Sequence, residues 1–542
     1  MIKKYFILGL IIILAAFLRF WQIDKVPPSL YWDEVSQGYN AYSILKTGYD
    51  EHHEFLPIAR FQAFGDYKAP VYIYLTVISI FIFGTTEFAV RFPSAFFGTL
   101  TVLLTYCLTK EIFENNKRRN LICIFASLFL AISPWHIQLS RAAYEANVAT
   151  FFTALGLLTF FMAKRKYAYF YLISSVSFVL AFYSFNAHRI FIPLLIFLLF
   201  FIYRKQVLLN VKKIIAVIFI GIFLLIPFLL YLRTPESKLR FTEVNIFTDI
   251  SVIRESNHLQ NVDGNSLIGK VFDNRRVLYG LSFLKHYFDF FNPTYLFFKG
   301  DGNPRFSTQD NGELYLYMLP LIIAGIYFII KTDRINRYFL LGWFLLAPVA
   351  AATARETPHA LRSETFIPIY EIFAAYGFVE IINLVGKCSK KILYIFLIIS
   401  FIVGLYYLVD FLHAYYVHFP VRYSEEWQYG YKQAVQKAES LKDKYDEIVF
   451  SNAYGRAYIY VLWYGRYAPK DFWKNGVVKR DAFGFYNVDS FGKYIFDGNI
   501  RELKNKKTLF VGPPSSIPSG TRLIDAINFL NGKIAFEIRD NK

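Results

Sequence analysis

Charged residues and cysteines are scarce in this sequence. Only 18% of its 542 residues are charged, whereas 55% are hydrophobic and 20% are aromatic. This balance is unlike that of an ordinary soluble domain and is typical of polytopic membrane proteins. The three cysteines, Cys107, Cys123 and Cys388, lie in or beside apolar segments and have no CxxC spacing. They predict neither a disulfide framework nor a thiolate metal site.

Acidic residues are fewer than basic ones, which gives a formal net charge of +18. In a soluble protein this excess would suggest a nucleic-acid partner. Here the basic clusters KRK, YRK, KTDR and KCSKK each stand between two apolar runs. Lys and Arg accumulate in the cytoplasmic loops of membrane proteins. The excess of positive charge therefore indicates which loops are cytoplasmic, and no nucleic-acid binding is predicted.

The N-terminus lacks the small-x-small cleavage site of a removable signal peptide. It has a short basic start and an apolar run that ends in Arg19, Phe20 and Trp21. We therefore predict an uncleaved first span and a cytoplasmic N-terminus.

Apolar runs predict a mostly α-helical membrane bundle of about 11 spans. The basic clusters agree on one orientation if segment 70–84, PVYIYLTVISIFIFG, lies in the interface or re-enters instead of crossing. The segments that then face away from the cytoplasm are 22–69, 134–146, 233–313 and 413–542. The predicted spans are 4–21, 93–111, 121–134, 146–163, 168–184, 189–203, 211–232, 314–331, 337–353, 364–386 and 391–412.

The tail differs in composition from the rest of the chain. We predict a transmembrane domain over residues 1–414 and a small extracytoplasmic α/β domain over 415–542. A helix-like run covers Ser424–Tyr445, and the strand-like runs are IVFSN, YIYVLWYG, TLFVG and IAFEIR. The tail has no GxGxxG, P-loop or metal-ligand spacing, so we expect it to be structural or to handle an acceptor.

The first outward segment, 22–69, carries two adjacent carboxylates, Asp33 and Glu34, before a helix-like run. In one interpretation Asp33 simply caps this helix. In the other, a carboxylate at the membrane surface, partly desolvated by Trp32, has a raised pKa and takes a proton from an incoming hydroxyl. The position directly after the first span favours the catalytic interpretation.

Lys68 stands in YKAP, where the proline marks the return to apolar sequence. It can be an ordinary lysine that snorkels to the headgroup level. Alternatively, it is a point charge that binds a lipid-linked phosphate. In that case Asp33 and Lys68 would bracket a reacting centre.

Further ionisable residues lie in two other outward turns. The stretch SPWHIQLSRAAYEANV contains His136, Arg141 and Glu145, and NAHR contains His188 and Arg189. Arg141 and Glu145 have the spacing of an intrahelical pair. However, an ionisable group at membrane depth usually has a partner or a task, which keeps these residues as site candidates.

Two later patches complete the candidates. GDGNPRFS contains Asp301 and Arg305, and turn chemistry alone accounts for its composition. RETPHALR contains His359 and Arg362, and positive charge on the outer face is explained most simply by a bound phosphate. The histidines have no metal-ligand spacing, so no metal or other cofactor is predicted, although the fold alone could still assemble a divalent site.

The order of these motifs resembles the C superfamily of glycosyltransferases. Within it, the sequence is most similar to family 39, the protein O-mannosyltransferases and lipid A aminoarabinose transferases. The resemblance rests on the basic N-terminus and first span, the WDE loop, YKAP, IFGTTEFAVRFPS and SRAAYE. It is partial from Gly300 to Arg362.

The resemblance implies transfer of a sugar from a polyprenyl-phosphate carrier to an acceptor outside the cytoplasm, with inversion at the anomeric carbon. It implies that Asp33 is the base, that Glu34 supports it and that Lys68 contacts the carrier phosphate. In the aminoarabinose branch a glutamate precedes this lysine. The present sequence has Tyr67 there, which argues against an aminoarabinose donor.

We therefore predict a multi-pass membrane glycosyltransferase whose partners are a polyprenyl-phosphate-linked sugar, membrane lipid and an acceptor protein, lipid or glycan. One alternative is a transporter or flippase of lipid-linked sugars, a class that tends to show inverted repeats and midplane charge. Another is a membrane-anchored protein that binds through its tail. The predicted phosphate-binding cations are Lys68, Arg141, His359 and Arg362, and the other substrate-site candidates are His136, Glu145, His188, Arg189, Asp301 and Arg305.

Overall fold

The computed structural model is mostly helical and contains one large sheet. The described residues are 2–165, 167–235, 237, 245–332, 336–480, 486–497 and 506–541. Three predicted regions are therefore described only in part. The undescribed residues are 236 and 238–244 of the outward segment 233–313, 333–335 at the KTDR cluster, and parts of the tail.

The elements follow in this order along the chain. The helices are α1 Ile2–Phe20, α2 Trp32–Thr47, α3 Pro70–Phe83, α4 Glu87–Ile112, α5 Arg119–Ile132, α6 Pro134–Ser140, α7 Glu145–Arg165, α8 Phe170–Ser184, α9 His188–Leu208, α10 Val211–Tyr231, α11 Ile250–Val262, α12 Leu267–Phe272, α13 Arg275–Asp289, α14 Met318–Thr332, α15 Arg337–Leu346, α16 Val349–Ala352, α17 Ile369–Cys388, α18 Lys390–His413, α19 Phe419–Arg422, α20 Tyr431–Leu441, α21 Ala457–Tyr464 and α22 Pro469–Asn475. The strands are β1 Phe61–Ala63, β2 Asp66–Lys68, β3 Glu447–Ser451, β4 Val477–Arg480, β5 Tyr486–Phe491, β6 Tyr494–Asp497, β7 Thr508–Gly512, β8 Arg522–Asn528 and β9 Ile534–Asp540.

Within the described ranges, six helices are long and apolar enough to cross a membrane, and the bent pair α5 and α6 can make a seventh span. The chain also has shorter apolar helices, α1, α3, α8, α14 and the run α15–α16. Every predicted span coincides with an apolar helix, while the number that cross stays a prediction. Helices α10 and α18 expose apolar side chains along most of their length, as helices that face lipid do.

Helix α3 is the segment predicted not to cross. Its 14 residues span about 21 Å at about 1.5 Å per residue. The hydrocarbon core is about 30 Å thick. The length is therefore compatible with the predicted interfacial or re-entrant placement, which stays a prediction.

The chain folds as two compact units. The bundle unit comprises Met1–Arg19, Phe96–Ser140 and Tyr144–Phe411. The loop–tail unit comprises Phe20–Ala95, Arg141–Ala143 and Leu412–Lys542. The structure thus groups most of the first outward segment with the tail.

Close helix crossing in the bundle unit depends on glycine. A Cβ at Gly325 of α14 would lie 1.9 Å from the carbonyl oxygen of Phe373, and one at Gly377 of α17 would lie 2.1 Å from that of Leu321. No larger residue fits at either position without moving a backbone. The crossing of α14 and α17 is therefore of the small-residue type common between membrane helices.

The sheet of the loop–tail unit has seven strands in the order β4-β5-β6-β3-β7-β9-β8. The central strand β3 pairs in parallel with β6 and β7, and the other pairs are antiparallel. The predicted strands IVFSN, TLFVG and IAFEIR are confirmed as β3, β7 and β9. The helix predicted at Ser424 begins only at Tyr431, because Gly430 has a φ of 104°.

The prediction of a strand at YIYVLWYG is wrong, because this run forms helix α21. All residues from Ala457 to Trp463 are buried. A short run that is apolar on every side has no periodicity to distinguish a buried strand from a buried helix. Trp463 of this helix packs against Gly38 of α2, the helix that carries Asp33.

Candidate functional site

Helix α2 carries Asp33 and Glu34 in its first turn. Tyr31 has an extended conformation and occupies the N-cap position, so Asp33 is the second residue of the helix and Glu34 the third. The interpretation of Asp33 as the cap residue does not describe this geometry. The positive end of the helix dipole stabilises carboxylates at these positions.

A two-residue hairpin brings Lys68 to the start of α2. Strands β1 and β2 pair Phe61 with Lys68, and the turn residues Phe64 and Gly65 have φ values of 59° and 88°. Positive φ at both positions is the pattern of a type I′ turn, whose twist matches that of a two-stranded hairpin. Lys68 therefore ends a rigid hairpin directly before α3.

The Lys68 ammonium contacts Asp33 directly. Its Nζ donates to Asp33 Oδ1 at 2.7 Å and to the Asp33 carbonyl oxygen at 3.1 Å. The Lys68 side chain is only 8% exposed, whereas that of Asp33 is 51% exposed. The two charges do not stand apart around an empty centre. Instead, a buried lysine holds a carboxylate that solvent can reach.

Glu34 is buried, and each of its carboxylate oxygens accepts two hydrogen bonds. Its Oε1 accepts from Arg91 Nε and from the Ala143 amide, both at 2.9 Å, and its Oε2 accepts from Arg91 Nη2 at 2.9 Å and from the Tyr31 amide at 3.0 Å. Arg91 Nη1 also donates to the carbonyl oxygens of Ile23 and Pro27. These contacts make Glu34 an anchor of α2. Its support of Asp33 in chemistry stays a prediction.

Arg91 is a residue that the sequence interpretation did not single out. It lies inside the quoted motif IFGTTEFAVRFPS, near the start of α4. A lone arginine within the apolar run FAVRFPSAFF is the sequence signal that could have identified it.

Arg141 lies in the same unit as Asp33 and is fully buried. Its Nη2 donates to the carbonyl oxygens of Trp21 at 2.7 Å and Val26 at 2.9 Å. Its guanidinium lies over the rings of Tyr415 and Tyr416. These contacts hold the chain just after the first helix, and binding of a phosphate by Arg141 stays a prediction.

The bundle unit holds a second polar cluster, around Asp301. Asp301 Oδ2 accepts from the Ala360 amide at 2.7 Å and lies 3.5 Å from Nδ1 of His359. Burial raises the pKa of Asp301 to about 6. Burial, assisted by nearby Arg362 and Arg305, holds the pKa of His359 well below its usual range.

The lowered pKa of His359 favours the neutral imidazole, and binding of a phosphate by His359 stays a prediction. The permanent positive charges of this cluster are those of Arg305 and Arg362. Arg362 Nη1 donates to the Glu356 carbonyl oxygen at 3.2 Å, and its side chain keeps some exposure. The structure brings Asp301, Arg305, His359 and Arg362 together, a juxtaposition that the sequence interpretation did not predict.

Residues 67–231 match the sequence family described as dolichyl-phosphate-mannose-protein mannosyltransferase. The predicted family resemblance is confirmed. The matched stretch includes Lys68 and Arg91 and begins after Asp33. A relative in Bacillus subtilis, YkcB, named as a mannosyltransferase, is 27% identical over 215 residues, which are 39% of this chain and 28% of that protein. The chain thus spans about a quarter of the length of this relative.

Two solved structures have a similar fold. The archaeal oligosaccharyltransferase AglB from Archaeoglobus fulgidus, in complex with an inhibitory peptide and a dolichol-phosphate, has a TM-score of 0.53 at 15% identity, covering 85% of this chain and 64% of that one. ArnT from Cupriavidus metallidurans bound to undecaprenyl phosphate has a TM-score of 0.52 at 11% identity, covering 99% and 98%. At these identities the likeness concerns the fold, which is that of a multi-pass membrane protein.

The remaining predicted site residues lie in the bundle unit and are largely buried. His136 Nδ1 contacts Arg19 Nη2 at 2.7 Å, and Arg189 lies over the ring of Phe228. Neither ring nitrogen of His188 has a hydrogen-bond partner in the part of the chain that the structure describes. Glu145 begins α7, whereas Arg141 precedes that helix, so the two are not an intrahelical pair.

The structure reveals one further buried carboxylate near the candidate site, Glu51. Its Oε1 accepts from Tyr458 Oη at 2.8 Å and its Oε2 from Asn40 Nδ2 at 3.3 Å. Complete burial, reinforced by neighbouring Asp50 and opposed in part by Lys68, raises the pKa of Glu51 to about 7. Its partners are remote in sequence, so only the unusual run DEHHE pointed to it.

Glu51 gives the fold a pH dependence. Between its ordinary pKa of 4.5 and about 7, the folded protein holds a proton that the unfolded chain releases, so Glu51 makes stability fall as pH rises. We expect Glu51→Gln to become more stable relative to wild type on going from pH 5 to about pH 8. Melting temperatures of the purified proteins across this range test it, with the exposed Glu426→Gln as control. A difference independent of pH would contradict the expectation.

Within the ranges that the structure describes, no group of three or more His, Cys, Asp or Glu side chains is placed to hold a metal ion.

Proposed function

We propose that the protein is a membrane glycosyltransferase that moves a sugar from a polyprenyl phosphate to an acceptor on the non-cytoplasmic face. Mannose is the first candidate sugar, because the matched family and the Bacillus relative both carry that name. The solved relatives with dolichol-phosphate and undecaprenyl phosphate support a lipid phosphate as the carrier. The first outward segment and the tail are then extracytoplasmic.

The observation that carries the proposal is the half-exposed Asp33 carboxylate held by buried Lys68. A general base must be reachable by the acceptor and fixed in direction. Asp33 meets both requirements, since its helix is anchored through Glu34 and its carboxylate is gripped by Lys68.

The proposed reaction is a single displacement. Asp33 accepts the proton of an acceptor hydroxyl while the hydroxyl oxygen forms a bond to the anomeric carbon. The bond from that carbon to the phosphate oxygen breaks, and polyprenyl phosphate leaves with the bonding electrons. A positive group near the leaving phosphate stabilises the charge that develops. Lys68 is the cation already beside the proposed base, and the proposed inversion follows from one displacement.

Lys68→Ala should raise the KM for the lipid donor about tenfold or more, since a hydrogen bond to a charged group contributes about 1.5–3 kcal/mol. The KM for the acceptor should change by less than about twofold, because an ammonium recognises the phosphate and not the hydroxyl. Initial rates at varied donor and acceptor concentrations measure both. Lys46→Ala, at the exposed end of α2, is the control. An unchanged donor KM would remove Lys68 from phosphate binding.

The function itself is tested with purified protein in proteoliposomes, radiolabelled polyprenyl-phosphate mannose and host membranes. Label in a protein, glycan or lipid-acceptor fraction, with release of polyprenyl phosphate, supports the enzyme and identifies the class of acceptor. Movement of the intact labelled lipid across the bilayer without such release would support the transporter alternative instead.

A further inference from the structure

Within the loop–tail unit, the tail packs against helix α2, which carries Asp33. Gly38 of α2 faces Trp463 of α21, where a Cβ would lie 3.1 Å from the indole ring. Tyr39 Oη donates to the carbonyl oxygen of Tyr467 at 3.1 Å. Because these contacts fall along α2, the tail determines where the helix lies.

The start of α2 has a specific partner in the tail, Gln428. Its Oε1 accepts from the backbone amide of Trp32 at 3.2 Å. The same oxygen accepts from Tyr460 Oη, and Gln428 Nε2 donates to the Tyr454 carbonyl oxygen at 2.8 Å. Gln428 is buried and has a φ of 54°, an uncommon conformation for glutamine. The surrounding structure therefore fixes this side chain at both ends.

The bond to Trp32 caps an amide that the local capping contact between Glu34 and the Tyr31 amide leaves open. The first amides of a helix have no partner within the helix, and Ser, Thr, Asp or Asn usually supplies one from the N-cap position. Here Tyr31 occupies that position. The Trp32 amide, one residue before Asp33, is satisfied by a side chain almost four hundred residues later in the chain.

We propose that Gln428 is a positioning residue for Asp33, and that the tail is thereby a working part of the catalytic site. This inference rests on the proposed function, in which Asp33 is the base. Lys68 grips the Asp33 carboxylate, and Gln428 holds the backbone just before it. If Gln428 is removed, the backbone at Trp32 and Asp33 loses one support, while Glu34 and Trp463 still anchor α2.

Gln428→Met, which keeps the length of the side chain without its polar atoms, should reduce kcat about 10- to 100-fold, because a displacement of about 1 Å in a catalytic group can cost that much. The KM for polyprenyl-phosphate mannose should stay within about twofold, since the polar atoms of Gln428 are bonded to Trp32, Tyr454 and Tyr460. Gln428→Glu keeps the oxygen that faces the Trp32 amide but places its second oxygen against the Tyr454 carbonyl oxygen, so it should recover only part of the loss. Gln436→Met, on the exposed face of α20, is the matched control.

Steady-state rates and melting temperatures of the full-length variants in proteoliposomes test the positioning role of Gln428. The inference is overturned by an unchanged kcat, by a Gln428→Glu variant no better than Gln428→Met, or by a fall in melting temperature of more than about 5 °C that accompanies the loss. If wild type transfers sugar, Asp33→Asn does not and Gln428→Met is normal, this inference alone fails. If wild type transfers no sugar, the proposed function fails and this inference with it.

Discussion

Asp33→Asn is expected to reduce kcat by about 100- to 10,000-fold, the range that a positioned general base contributes. The amide cannot accept the acceptor proton, yet it keeps the size of the side chain and can still face Lys68. Folding should be affected less than by Glu34→Gln, because half of the Asp33 side chain is exposed, although buried Lys68 loses its counter-charge. The loss should appear in kcat more than in the KM for the lipid donor, since Lys68, the proposed phosphate ligand, stays in place beside the substituted side chain.

The matched control is Asp24→Asn, an exposed carboxylate in the same outward segment. It should retain wild-type kcat. Rates are measured in proteoliposomes with equal amounts of folded protein, judged by gel filtration and melting temperature. An Asp33→Asn variant with activity within about tenfold of wild type would be too active for loss of a general base.

Glu34→Gln is expected to destabilise the protein by about 3–5 kcal/mol, the usual cost of removing one partner of a buried ion pair. Gln keeps the shape but leaves the Arg91 guanidinium, which is fully buried, without its counter-charge. The anchored segments Ile23–Pro27 and α2 should loosen together, because both are held through Arg91. Denaturation in detergent micelles measures the change.

Two variants distinguish this explanation from a general intolerance of change. Adding Arg91→Met to Glu34→Gln removes the uncompensated charge and should recover part of the loss. Glu87→Gln breaks the more exposed pair with Lys432 in the same unit and should cost less than about 1 kcal/mol. A Glu34→Gln variant as stable as Glu87→Gln would show that the buried pair is not the anchor.

The sequence was most informative where a pattern is local. Long apolar runs with basic ends predicted the helices of the bundle, because each run is itself the signal. Strand β7 was also predictable, because the short run TLFVG is itself a local signal. YIYVLWYG was not, since a run that is buried on all sides has no periodicity to identify it as helix α21.

In the candidate site, too, local features were predictable and contacts between distant segments were not. Asp33 and Lys68 were predicted together from their motifs, and the hairpin that joins them is local. Their direct contact was not predicted, because the twist of a hairpin cannot be read from two separated residues. Gln428 and Glu51 act through bonds to distant segments, Trp32 in one case and Tyr458 in the other. A single sequence contains no pattern for such pairings.

The central claim is a direct displacement of the carrier phosphate by a hydroxyl that Asp33 deprotonates. The most direct measurement is the anomeric configuration of the first product formed from a polyprenyl-phosphate sugar of known configuration, read from its NMR coupling constants. A single displacement predicts the opposite configuration in the product. Retention of configuration would require a second displacement and would contradict the assignment of Asp33 as the base.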